Sequence, residues 1–222
     1  MTVRAIFFDI GETILNESRV WCRWADWLGV SPLTFLAVLG SVIERNESHL
    51  QVFEVFRPGF DLEREEAAMA AAGTPNTFDA SDVYADVLPT LSALKRDGYL
   101  LGVAGNQPAR AERLIHDLGL PVDFVAVSET LRAIKPSLDF FRRLVEMAGF
   151  PAEEIAYVGD RIDNDVLPAR AAGMLPIFLR RGPWGIIQGR RPEAAHARLV
   201  IDSLLQLPQA LKDYAESPQT RN

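Results

Sequence analysis

The sequence predicts an α/β protein: a three-layer, doubly wound parallel sheet with a small all-helical domain inserted into it. Three observations carry this. From residue 99 onward, short apolar runs alternate with helical stretches, the pattern of parallel strands covered by helices on both faces. A first apolar run opens at Val3 and ends on one carboxylate, Asp9, followed by Gly11 and Thr13. About ninety residues then separate this run from the next strand signal, far more than the dozen or so a crossover needs.

The first run reads as a strand buried on both faces. Asp9 therefore belongs at the carboxyl end of a central strand, where open α/β sheets bind their ligands, and Gly11 is expected to turn the backbone there. Trp21, Trp24 and Leu28 fall on one face of a helix and read as aromatic core. Ser31 and Pro32 open a second helix as N-cap and first residue. Asp61 opens another, with acidic residues in its first turn where the helix dipole favours them; its charges read as a solvated face. A structureless loop of this length is improbable. Residues 16–82 are thus assigned to a helical domain, expected over the carboxyl ends of the strands, and 1–15 with 83–222 to the α/β core.

A helix over Val87–Arg96 precedes the second strand, Tyr99–Ala104. There follow a helix over Gln107–Leu118, a strand over Phe124–Val127, a helix over Ser137–Ala148 and a strand over Ile155–Val158. A helix running to Ala172, a strand over Leu175–Leu179, a short edge strand near Arg198–Ile201 and a last helix over Ser203–Tyr214 complete the pattern. Arg180–Trp184 reads as a solvated loop, and the polar tail 216–222 is expected to fray.

The chain has 222 residues, enough for a full core and one modest extra domain. Its net charge of −7, from 23 Lys and Arg against 30 Asp and Glu, argues against nucleic acid as a partner, since phosphate backbones need clustered cations. It leaves room for a small anionic substrate, because local charge governs a site. No apolar stretch reaches the about 18 residues of a membrane span, and the N-terminus has no signal-peptide pattern. Cys22 is the only cysteine, so no internal disulfide forms and a reducing cytoplasm is the expected compartment. Oligomeric state leaves no trace in the sequence.

The chemistry-bearing residues gather at strand ends. Asp9, Gly11 and Thr13 follow the first strand, and Gly105 and Asn106 the second. Lys135 follows the third, and Asp160 and Asp165 the fourth. Singly, Lys135 reads as a surface lysine and Asp160 as a helix cap. After four successive strands, they converge on one mouth.

In motif order, spacing and insertion point the chain resembles the haloacid dehalogenase-like hydrolases. Phe7-Phe8-Asp9-Ile10-Gly11-Glu12-Thr13 is similar to their first motif and Val103-Ala104-Gly105-Asn106 to the second. Ile134-Lys135-Pro136 is similar to the third, and Gly159-Asp160 with Asn164-Asp165 to the fourth. The resemblance implies a Rossmann-like core with a helical cap. It also implies a magnesium-dependent phosphatase-type hydrolase acting on a small phosphorylated metabolite through an aspartyl phosphate on Asp9. Asp9, the Gly11 carbonyl and Asp160 would hold Mg²⁺, with Asp165 binding it or orienting its waters. Lys135 would offset the crowded negative charge. Thr13, Gly105 and Asn106 would lie against the transferring group.

Two positions depart from the family pattern. Gly11 stands where the phosphatases carry a second aspartate, and Gly105 where they carry serine or threonine. General acid–base help is typically worth about 10²–10⁴-fold, so slow turnover is expected, least so for good leaving groups such as acyl phosphates. Two other readings remain: a catalytically weak member that binds a phosphorylated ligand or a protein, and a 2-haloacid dehalogenase. In the latter, Arg19 would grip the substrate from the cap side.

Overall fold

The computed structural model describes residues 2–217; the tail expected to fray continues past them, so that its residues 218–222 lie outside the described residues. Six strands, β1 (Ala5–Phe8), β2 (Leu100–Gly105), β3 (Phe124–Val127), β4 (Ile155–Gly159), β5 (Leu175–Leu179) and β6 (Leu199–Ile201), form one sheet. Its order is β3-β2-β1-β4-β5-β6 and every pairing is parallel. This is the Rossmann-like α/β fold expected from the sequence. Eleven α-helices accompany the sheet among the described residues: α1 (Ser18–Leu28), α2 (Pro32–Glu44), α3 (Gln51–Phe56), α4 (Leu62–Ala71), α5 (Val87–Arg96), α6 (Arg110–Asp117), α7 (Ser128–Leu131), α8 (Leu138–Ala148), α9 (Leu167–Ala171), α10 (Gly182–Gln188) and α11 (Leu207–Glu216).

The sheet explains the sequence run by run. β1, β4 and β5 are buried along their whole length, as strands covered on both faces must be. Phe7, Tyr157, Phe140, Phe141 and Leu144 form one side of the core. The Phe141 and Tyr157 rings meet edge to face at 5.1 Å, an arrangement that favours aromatic pairs. Phe8 is in register with Val103 on one side and Val158 on the other. Asp9, Gly105 and Asp160 therefore leave the sheet close to one level. The chain winds from β1 out to β3, then resumes at β4 on the other side of β1. The crevice between β1 and β4 is the switch point where such sheets bind ligands.

The chain divides into two compact units, one of residues 1–15 with 83–222, the other Asn16–Asp82. The second holds α1–α4 and has no strand among the described residues. Its centre is aromatic. The rings of Trp24 and Phe53 lie 5.1 Å apart and those of Phe53 and Phe60 stack at 4.3 Å, in keeping with the periodicity of Trp21 and Trp24. The caps are as read: Ser31 accepts from Thr34 N–H and Asp61 from Arg64 N–H. Glu65 corrects the expectation of a solvated face on α4. It is buried, and accepts from Trp27 Nε1 at 2.8 Å and Arg57 Nη1 at 2.5 Å, partners that make its burial tolerable.

Apart from shifts of one or two residues at element ends and the short α7, which the sequence reading lacks, four further expectations differ. α6 starts at Arg110 rather than Gln107, because Pro108 biases Gln107 away from helical backbone. The helix expected after β4 opens as a wide turn over Ile162–Val166, with Val166 N–H reaching Arg161 O at 3.2 Å. Pro168 offers no N–H to the Asn164 carbonyl, so the regular ladder starts only beyond it. Residues 204–206 form a 3₁₀ turn and α11 begins at Leu207. Finally, Arg180–Trp184 is no solvated loop. α10 starts at Gly182, and Trp184 is buried; a Gly-Pro pair reads as a turn, yet proline is equally at home in a first helical turn.

Candidate active site

Asp9 is placed by β1 and pinned to β4 by its N–H, which donates to Val158 O at 2.8 Å. The chain then doubles back: Ile14 and Leu15 N–H both donate to Ile10 O. The left-handed backbone at this turn falls on Glu12 (φ 52°), not on Gly11 as expected. A non-glycine residue there is strained and needs holding. Tyr84 Oη–H donates to Glu12 Oε2 at 2.5 Å. Gly182 lies so close that an added Cβ would stand 2.6 Å from the Glu12 carboxylate. Arg181 completes the clasp, donating to Thr13 O at 3.1 Å, pairing with Asp86 and lying 4.1 Å over the Tyr84 ring.

Lys135 is at the centre. Its Nζ donates to Asp9 Oδ1 and to Asp165 Oδ1, both at 2.6 Å, with 1% of the side chain exposed. Beneath it are the rings of Tyr157 at 5.4 Å and Phe140 at 5.9 Å. Burial alone would lower the ammonium's pKa, but Asp165 and Asp9 outweigh it and hold the group well above the usual lysine range. Asn106 fixes the lysine's backbone: Lys135 N–H donates to Asn106 Oδ1 at 2.8 Å, and Asn106 Nδ2 to Lys135 O at 3.0 Å.

The wide turn after β4 carries Asp165 back toward β1. Asp165 Oδ2 accepts from Arg161 N–H at 3.0 Å. Oxygens of Asp9, Asp160 and Asp165 all lie within 4.8 Å of one another. Burial first, then the charges of Asp165, Asp9 and Glu12, push the Asp160 carboxyl well above the usual carboxylate range. Burial likewise pushes Asp165 up to about 6, against the lowering influence of Lys135. Asp160 Oδ2 and Thr13 Oγ1 are buried without a protein partner. Three carboxylates around one ammonium leave an excess of negative charge. Together with an unsatisfied buried oxygen, this donor set fits a hard divalent cation.

The structure thus brings Asp9, Lys135, Asp160 and Asp165 into direct contact or close approach, with Thr13 and Asn106 on the adjoining loops. At Gly105 an added Cβ would stand 2.8 Å from Asp9 Oδ1, so the missing side chain leaves space that Asp9 uses. Arg19 lies in the helical unit, where its Nε and Nη2 are engaged by Asp82 and Asp79. Tyr84 carries no signal in the sequence, and Arg181, read within its solvated stretch, no sign of this role; only the positive-φ strain at Glu12 hints at the two, and a sequence does not display it.

Gly159 is expected to be irreplaceable. An added Cβ would stand 2.3–2.6 Å from atoms of the Asp165 side chain, whose carboxylate Lys135 and Arg161 N–H already hold. Gly159→Ala is expected to lower stability by about 1–3 kcal/mol, as overpacking does. An unchanged urea midpoint would contradict this.

A model of the haloacid dehalogenase-like hydrolase family matches residues 3–173. The chain is 33% identical to the glyceraldehyde 3-phosphate phosphatase of Methanopyrus kandleri over 210 residues, 86% of this chain and 90% of that protein. It is 32% identical to phosphoglycolate phosphatase 1 of Pseudomonas aeruginosa over 154 residues, 67% of this chain and 55% of that protein. A crystal structure of an HAD phosphatase from Thermococcus onnurineus superposes with a TM-score of 0.61 at 25% identity, covering 94% of this chain and 98% of that one. A 2-haloacid dehalogenase from Pseudomonas syringae superposes with a TM-score of 0.56 at 24% identity, covering 96% and 100%, a likeness of fold alone.

Proposed function

The chain belongs to the haloacid dehalogenase-like hydrolases, and from that premise we propose that it is a magnesium-dependent phosphatase that cleaves a small phosphorylated metabolite through an aspartyl phosphate on Asp9. One observation carries this reading: Lys135 bridges Asp9 and Asp165 beside a third buried carboxylate, Asp160, whose Oδ2 has no partner. A dehalogenase attacking carbon has no use for that third carboxylate, and Arg19 is already paired with two aspartates. A binding protein has no need to keep the lysine and carboxylates buried together. The phosphatases named above support phosphate esters of small carbon skeletons as substrates.

Asp9, Asp160 and the Gly11 carbonyl would hold Mg²⁺, with Asp165 behind them. When bound, the ion supplies neutralisation of the phosphoryl group's negative charge. Lys135 Nζ, donating to Asp9 Oδ1, holds that carboxylate in place and offsets the crowded negative charge. Asp9 attacks phosphorus; the bond to the leaving oxygen breaks, and that oxygen keeps the electron pair. Water then attacks the same phosphorus, Asp9 departs as carboxylate, and the water's proton passes to phosphate or solvent. Splitting one hard displacement into two is the gain of covalent catalysis. The Thr13 hydroxyl, buried and unpartnered, is a donor for the phosphoryl oxygens. Asn106 acts through the Lys135 backbone. Gly11 offers no carboxyl to protonate the leaving group, which favours leaving groups stable as anions.

The test is phosphate release from acetyl phosphate, para-nitrophenyl phosphate, glyceraldehyde 3-phosphate and phosphoglycolate, with magnesium and with EDTA. Release that requires magnesium is expected, fastest on acetyl phosphate. Release undiminished by EDTA, or none from any of the four, would overturn the reading.

The same carboxylates predict a pH signature. Asp160 and Asp165 titrate above their ordinary 3.8 in the fold, so the folded chain holds protons that the unfolded chain has released. Stability from the protonated forms is full below 3.8 and is lost as pH rises through the folded value, about 6 for Asp165. Binding of a cation needs the ionised forms, so the rise in Tm on adding magnesium should grow between about pH 5 and about pH 7. A magnesium shift independent of pH would contradict this.

A further inference from the structure

The turn that carries Asp165 is held from outside by a residue that no motif contains. Gln188, the last residue of α10, is 2% exposed. Its Oε1 accepts from Ile162 N–H at 2.6 Å, and its Nε2 donates to Asp163 Oδ1 at 2.8 Å. Both ends of one buried amide thus grip the first two residues of the Ile162–Val166 turn. Asp163 is gripped from its other side by Arg161, at 2.7 Å. The Arg161 guanidinium lies 5.2 Å over the ring of Trp184, which is also on α10.

This turn needs such a support. It is the wide, irregular form that Pro168 imposes, and Asp165 must emerge from it beneath Lys135 Nζ. Asp160 precedes the turn and Asp165 lies within it, and the stretch between them is fastened to α10 through Gln188. A buried amide with both ends satisfied resists displacement, because moving it leaves polar groups unpaired in a dry interior.

We propose that Gln188 is a positioning residue that holds the Asp160–Asp165 turn in the spacing required for cation binding and phosphoryl transfer. The proposal rests on the reading of the carboxylate cluster as a magnesium site. Gln188 touches none of the carboxylates assigned to the ion; it acts through Ile162 and Asp163. Residues that orient metal ligands are worth about 10–100-fold in affinity or activity. Acting one link further out, Gln188 should fall near the lower end of that range.

The experiment is calorimetric titration of magnesium chloride into the wild type, Gln188→Leu, Gln188→Glu, and Gln188→Glu combined with Asp163→Asn. Steady-state kinetics and hydrogen exchange at the Ile162 amide accompany it. Gln188→Glu keeps the acceptor for Ile162 but sets a carboxylate against Asp163. Adding Asp163→Asn restores a donor and an acceptor with their roles exchanged. The expected result is an about tenfold weaker magnesium Kd in both single variants. With it should come a fall in kcat at little-changed substrate KM, faster exchange at Ile162 in Gln188→Leu, and recovery in the double variant. A merely structural role would lower Tm without moving the magnesium Kd or being rescued by the exchanged pair, and that result overturns the proposal. If Gln188→Leu does not fold, the Gln188→Glu single and double variants decide by the same criteria. A wild type that binds no magnesium would overturn the cation-site reading and the proposal together; a wild type that binds it with all variants unchanged would overturn the proposal alone.

Discussion

Asp9→Asn is expected to abolish magnesium-dependent phosphate release, by on the order of 10⁴-fold or more, the scale on which loss of a covalent nucleophile is felt. The protein itself should survive the change. Asparagine keeps an oxygen to accept from Lys135 Nζ, and Asp165 still accepts the ammonium's other bond. One buried negative charge is removed from a cluster that carries an excess of them, so the metal-free variant should unfold no earlier than wild type. Acid quenching during turnover of a radiolabelled substrate is the direct check: labelled phosphate should stay on wild-type protein and be absent from the variant. Turnover within tenfold of wild type would show that Asp9 is not the attacking group.

Lys135→Met is expected to have the largest effect on stability, about 3–5 kcal/mol near neutral pH without metal, the cost of leaving buried charge unpaired. Methionine fills a similar volume over the rings of Tyr157 and Phe140, so packing is largely kept and the charge is what is lost. The deficit should shrink as pH falls through about 6, because Asp165 can then take up a proton in place of the ammonium. Urea denaturation in EDTA across this pH range measures it. A deficit independent of pH would mean that the lysine contributes by packing rather than by charge.

Legibility in the sequence differs from residue to residue. The strands are plain because a strand buried on both faces must be written in apolar residues, as Ala5–Phe8 and Ile155–Gly159 are. Parallel topology then brings the residues after every strand to one edge of the sheet. That alone gathers Asp9, Lys135, Asp160 and Asp165 at one mouth. The supports are invisible for an equally physical reason. Tyr84 reaches Glu12 across 72 positions and Gln188 reaches Ile162 across 26, and neither pairing leaves a periodic trace. Gly182-Pro183 reads equally as a turn or a helix start, and only the burial of Trp184 decides. Pro168 is in plain view, but its consequence, a widened turn in place of a regular helix, depends on where β4 ends.

The entrance and exit of the helical unit have a consequence of another kind. Leu15 and Val83 face each other as an antiparallel bridge on the core, and Asn16 N–H donates to Asp82 O at 2.7 Å at the neck of the inserted unit. A scaffold that sends out and receives its chain at adjacent residues bears no strain from what is strung between them. Loop-closure cost rises only slowly with length, and here a single rung of backbone pairing has already closed the gap. A segment strung between these residues can be lengthened or shortened at small closure cost, while Phe8 keeps its register with Val103 and Val158.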